Sequence, residues 1–457
     1  MKNIITQEYE NDKQLSEKIQ KFFKRFHIGS ALKNANAYKQ KGFSVIQIFQ
    51  YLFILVFSNR SMYMDMITGK NAVEFGKDTI YRFMQSLNIN WLRFTTIFAQ
   101  RIVRTVEPLT NADRINVFII DDTTCERNRS KKVELLTKVY DHAKKAWLYG
   151  FRALTLGWSD GNTFIPVNSV LLSSEKEKSR INEAKQVDKR TSAYKRRRLS
   201  VTKATAVAIE LLKEAKRAGI KASHVLFDSW FTSPKSIHAI CGLGYHVIAM
   251  VKKSPKMFFR YNGTDMPLTE IYRMNKKRRG RSKYLLSVLV EVVKNDEIIP
   301  AKVVYVRNRN KRSEYLCVIS TDVSLNEDEI IRIYGKRWNI EVFFKVCKSY
   351  LRMNKDCHSL FYDAMTAHIA IVFTRYMMLA LEERYFADDR SWGELFLLFS
   401  DELADISWIQ AFHLLLDTFL DTLSERLFLS DKLLNELMDA FISAIPAVLK
   451  HKLKFAS

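Results

Sequence analysis

Two short apolar runs, each closing on aspartate, constrain this chain more than any other feature. Asn116-Val-Phe-Ile-Ile120 leads into Asp121-Asp122-Thr123-Thr124, and His224-Val-Leu-Phe227 leads into Asp228. Runs this apolar read as buried strands, and a carboxylate at the end of each would emerge at the edge of a sheet. Between them, Trp147 to Gly157 and Thr163 to Leu172 are β-rich, joined by Ser159-Asp-Gly-Asn162. That is a hairpin signal, because Asp-Gly tolerates positive φ. A helix is expected from about Val201 to Ala218, stopped by Gly219, and Ser233-Pro234 opens another. Strand, hairpin, helix, strand, helix is an α/β order.

The flanks differ. Residues 1–110 carry apolar positions at helical spacing and predict a helical N-terminal domain. Residues 111–250 form the first part of the core. From 251 to 319 the pattern turns β-rich, with Tyr284 to Val293 and Ile299 to Val306 around a Lys294-Asn-Asp-Glu297 turn. Residues 320–375 return to the core, and 376–457 read as a helical C-terminal region. The uncharged stretch Gly42 to Asn59 is barely long enough to span a bilayer and contains Ser44, Gln47 and Gln50, so it reads as a buried helix.

Charge narrows the partners. Lys and Arg number 73 against 49 Asp and Glu, a formal net charge of +24. Such an excess repels itself unless a polyanion neutralises it, and nucleic-acid phosphate is the usual one. Two basic runs, Lys185 to Arg198 and Lys276 to Lys283, are expected either as solvated surface or as a track for a phosphate backbone. The five scattered cysteines form no CxxC pair, which argues against disulfides and zinc and for a reducing compartment. His142, His224 and Cys357-His358 lack metal-site spacing. Neither a P-loop nor a GxGxxG motif occurs, so an ATP-driven activity is not indicated.

One segment gathers chemistry on a helix face. Read as a single helix from Ile330 to Leu351, it places Tyr334, Arg337, Glu341, Lys345 and Lys348 within about an 80° sector. Ile340, Val342, Phe343 and Val346 fall outside that sector, for packing. A structural helix could use the same residues as i,i+4 ion pairs. The other reading is a carboxylate able to hold a divalent metal, with cations beside it to grip phosphate. With Asp122 and Asp228 it would complete a three-carboxylate site for phosphoryl transfer.

Tyr334, Arg337, Glu341 and Lys348 match the Tyr-x2-Arg-x3-Glu-x6-Lys signature, and the chain resembles the bacterial insertion-sequence DDE transposases of family four. Asp122-Thr-Thr124 and Asp228 are similar to that family's first and second aspartates. Tyr140-Asp-His142, Gly150-Phe151 and Gly157-Trp-Ser-Asp-Gly161 resemble its core strands. The resemblance implies an RNase H-like mixed-sheet core interrupted by a β-rich insertion. It implies catalytic and metal-binding Asp122, Asp228 and Glu341, with Asp121 as the alternative to Asp122. Two Mg²⁺ ions, replaceable by Mn²⁺, would be held there. Tyr334, Arg337, Lys345 and Lys348 would contact DNA, and Tyr315 is the candidate for stacking a flipped base. The implied activity is cut-and-paste transposition through a hairpin intermediate. Its substrates would be terminal inverted repeats and target double-stranded DNA, handled by a homodimer in the bacterial cytoplasm at the nucleoid. A structure-specific nuclease and a non-catalytic DNA-binding descendant are the competing readings.

Overall fold

The computed structural model describes residues 17–57, 73–110, 114–141, 144–278, 282–308 and 314–386, with isolated positions 62, 65, 66, 433, 436 and 440. His142, part of the second basic run (279–281) and nearly all of the expected C-terminal helical region beyond 386 lie outside the described residues.

The described strands make one mixed sheet. They are β1 (Val117–Glu126), β2 (Thr137–Asp141), β3 (Ala146–Ser159), β4 (Phe164–Leu172), β5 (His224–Phe227), β6 (His246–Val251), β7 (Phe258–Tyr261), β8 (Thr264–Pro267), β9 (Tyr284–Lys294), β10 (Glu297–Arg307) and β11 (Tyr315–Ser320). The order is β2-β3-β1-β5-β6-β11-β10-β9-β7-β8, with β4 also on β3. β1, β3 and β4 run antiparallel, while β1, β5 and β6 run parallel. This is the α/β, RNase H-like mixed-sheet core expected from the sequence. The β-rich stretch continues the core sheet directly, because β11 pairs antiparallel with β6.

Local chemistry explains the elements. In the β3–β4 turn, Asp160 Oδ1 accepts from the Asn162 and Thr163 N–H groups, and Gly161 takes φ +102°. Gly157 is required for packing: a Cβ there would lie 2.1 Å from the Phe164 ring. The uncharged N-terminal stretch forms the helix Val45–Ile54, begun by a Ser44/Gln47 capping box and largely buried. The helix Tyr362–Phe386 is long and apolar enough to cross a membrane over Tyr362–Tyr385, yet 94% of that apolar window is buried inside the protein. It is a core helix here. Its buried Arg375 donates to the carbonyls of Leu52 and Phe53, tying the end of the Val45–Ile54 helix to the core.

Most of the first basic run is solvated, Lys185, Lys189 and Arg190 among it, but its last part joins the helix Ser192–Ser200, where Arg197 turns inward at 5% exposure. Its guanidinium holds Glu134 (2.7 Å) and Asp363 (2.6 Å), and Arg196 pairs with Asp363 at 2.9 Å. Glu134 also accepts from the Lys185 and Tyr362 backbone N–H groups. Buried charges demand such partners. Lys195 and Arg198 remain exposed. Arg197→Met should therefore cost about 3–5 kcal/mol in denaturant unfolding by stranding the buried Glu134 and leaving Asp363 to Arg196 alone, while Arg198→Ala should stay within about 0.5 kcal/mol.

Candidate active site

The site is set by strand register. β1 and β5 pair in parallel with Ile120 opposite Phe227, so the next residues, Asp121 and Asp228, lie side by side on one sheet face. β1 does not stop at its aspartates; it carries both of them and runs on to Glu126. Successive side chains of a strand point to opposite faces, so Asp121 and Asp122 diverge.

Asp122 faces Arg152 of β3, with which it forms an ion pair. That guanidinium lies 4.7 Å from the ring centre of Trp230. Asp121 faces the helical segment that carries Glu341. This segment is two helices, Glu327–Gly335 and Trp338–Ser349, where the sequence suggested one. At the junction, the N–H groups of Lys336 and Arg337 bond to the carbonyls three residues back, a tight turn that keeps the backbone nearly helical. The polar face therefore survives the break.

Arg337 sits in this junction and gathers the acids. Its Nη1 donates to Asp121 at 2.9 Å, and its Nη2 to Glu341. Asp228 lies close enough to act electrostatically on Asp121, Tyr334 and Arg337. The Tyr334 hydroxyl is buried beside them and finds no hydrogen-bond partner among the described residues. Phe343 fixes the helix from behind, its ring 5.0 Å from Phe164, 5.1 Å from Phe373 and 4.7 Å from Tyr376. Ile340 and Val346 are buried with it, as the helical arc required. Lys345 is exposed, and Lys348 lies near enough to Cys125 on β1 to act on its thiol.

The structure thus brings together Asp228, Glu341, Arg337 and Tyr334, with Asp121 rather than Asp122 as their neighbour on β1. Trp338, at the start of the second helix, is 63% exposed. Tyr315 is already stacked on Tyr272, ring centres 4.0 Å apart, with the Lys253 ammonium 4.7 Å from its ring. Trp230, at the site's edge, was missed; its place two residues after Asp228 was the available signal.

Burial pushes the Asp121 carboxyl up to about 6, against the pull of Arg337. Asp121, Glu341 and the neighbouring Asp228 supply carboxylate oxygens from three separate elements, the chemistry that suits a hard divalent cation. Asp121 and Glu341 turn toward the guanidinium while Asp228 Oδ1 accepts from the Ser229 N–H, and among the described residues no three His, Cys, Asp or Glu side chains converge at ligand spacing.

The model of one protein family, described as DDE superfamily endonuclease, matches residues 55–301 of the 457. The chain belongs to the DDE superfamily endonucleases. Among curated proteins, none matches it. The matched span of this DDE endonuclease contains Asp121, Asp122 and Asp228 and ends before Glu341. Membership makes it a nuclease that acts on DNA, of a superfamily that generally works with divalent metal ions.

Arg337→Gln in the metal-free protein removes the cation that opposes burial. The Asp121 midpoint should then rise above about 6 in a carbon-detected NMR titration of the aspartate carboxyls. A midpoint that stays put or falls contradicts the pairing.

Proposed function

We propose that this DDE endonuclease is a transposase of the family-four insertion-sequence type, cutting element ends and joining them to target DNA. The observation that carries the reading is that Arg337 holds Asp121 and Glu341 at once, with Asp228 beside Asp121 by strand register. The three acids come from β1, the end of β5 and the Trp338–Ser349 helix. Asp228 and Glu341 are the second and third acids of the triad, and the strand face favours Asp121 over Asp122 as the first.

These carboxylates would hold the divalent ions, two Mg²⁺ or Mn²⁺. Bound there, such ions make water or a 3′-hydroxyl a better nucleophile and stabilise the departing oxygen. The chain's own groups do the rest. Lys345 and Lys348, one and two turns beyond Glu341, take the charge of the phosphates beside the cut. Arg337 can exchange its carboxylate partners for phosphate oxygens, with two parallel donors to offer. The unpartnered Tyr334 hydroxyl is a ready donor to the same backbone. In this reading the first cut frees a 3′-hydroxyl. That hydroxyl attacks the opposite strand to form a hairpin, which a second water opens before the end joins target DNA. Two subunits bring two inverted-repeat ends together, and residues 1–110 read the repeats.

The test is cleavage of the protein's own gene fragment with several hundred base pairs of flank. Metal-dependent cuts at two ends, leaving hairpin termini, are expected. Asp228→Asn and Glu341→Gln should each reduce cutting by at least about a hundredfold. Cutting without hairpins or joining would instead indicate a plain nuclease, and unaltered cutting by Glu341→Gln would remove that residue from the site.

A further inference from the structure

The hairpin formed by β2 and the start of β3 carries an exposed outer face. β2 alternates buried and exposed positions, with Thr137 and Val139 inward and Lys138 and Tyr140 outward. In the ladder, Tyr140 pairs with Trp147 and Lys138 with Tyr149, so these four side chains share the outward face. Trp147 is 69% exposed and Tyr140 39%, their ring centres 5.4 Å apart and edge to face. An edge-to-face contact leaves a broad face of the indole open. Large exposed aromatics this close together are uncommon on a surface without a partner.

The register ties this face to the site. Antiparallel pairing of Asp121 with Thr155 and of Cys125 with Phe151 puts the odd positions of β3 on the Asp121 side of the sheet. Trp147 and Tyr149 therefore share the face on which the acids meet Arg337. Trp147 lies eight residues along β3 from Thr155, about 27 Å at ~3.4 Å per residue. Lys348, beside Cys125, falls between. Phe151, Ala153 and Thr155 lie between the acids and Trp147 on that face and are buried, so the hairpin projects beyond the covered part of the sheet, with Lys138 and Lys145 exposed on it and Lys144 paired with Glu126.

Cations select a polyanion, and open aromatic faces select its bases. Paired bases hide their faces, so the pattern fits a strand whose bases are unstacked. We propose that the Tyr140–Trp147 face binds a single-stranded or splayed segment of the DNA whose phosphate lies at the carboxylates, with a base stacked on Trp147. This rests on the nuclease reading of the site.

The experiment measures affinity of the full chain for a blunt duplex and for the same duplex with a single-stranded overhang, by fluorescence anisotropy without metal. Wild type should prefer the overhang. Trp147→Ala should weaken overhang binding by about 5- to 150-fold, the range expected for losing one base stack. Its blunt-duplex binding should be nearly unchanged, and Trp147→Phe should retain most of the preference. Since Trp147 is exposed, circular dichroism should match wild type, and Tyr140→Ala offers a second test should it not. Equal overhang binding by wild type and Trp147→Ala would overturn the proposal, including in favour of a protein partner at this face. Failure of wild type to bind either DNA would instead overturn the function on which the proposal rests.

Discussion

The arrangement turns on one guanidinium. Arg337 holds Asp121 on the sheet and Glu341 on the helix at once, beside Asp228. Asp121 is buried beside Asp228, and both burial and that like charge favour its neutral form. The raised Asp121 carboxyl records that conflict, and Arg337 is the cation that keeps it tolerable. Everything behind the site serves this meeting. The β1–β5 register sets two acids side by side, and Phe343, seated among three rings, fixes the helix that brings the third. A buried phenylalanine of this kind is worth about 3–5 kcal/mol. The same cation that permits the fold without metal is suited to phosphate once metal and DNA arrive.

The large positive charge divides into two populations. Arg196, Arg197 and Arg375 are spent inside the protein on Asp363, Glu134 and helix-end carbonyls. Lys345, Lys195, Arg198 and the lysines of the β2–β3 hairpin face solvent. Net charge correctly pointed to a polyanion, but a basic run did not reveal which of its members a polyanion could touch.

Much of the core was legible in the sequence for physical reasons. The apolar runs before Asp121 and Asp228, the Asp160-Gly161 turn, the Gly219 stop and the Ser233-Pro234 start each encode a local preference, and each appears as expected. The family match supports the nuclease reading that the acids suggested. What escaped depended on long-range pairing. Asp121-Asp122-Thr123-Thr124 looked like a strand end because it is polar; pairing with β3 carries the strand through it and decides which aspartate faces the helix. The helix break at Lys336–Arg337 follows Gly335, but a lone glycine inside a helical pattern is tolerated often enough that it did not mark an end. Arg197 could be recognised as buried only once Glu134 and Asp363, distant in sequence, were beside it.

The central claim is that the metal face of β1 is the Asp121 face. Its most direct test is the Mn²⁺ affinity of the full-length protein, measured by electron paramagnetic resonance at neutral pH for wild type, Asp121→Asn and Asp122→Asn. Asp121→Asn should weaken binding by at least about tenfold and Asp122→Asn by much less, since only one of the two oxygen donors faces Asp228 and Glu341. The reverse order would contradict the account and return the site to Asp122.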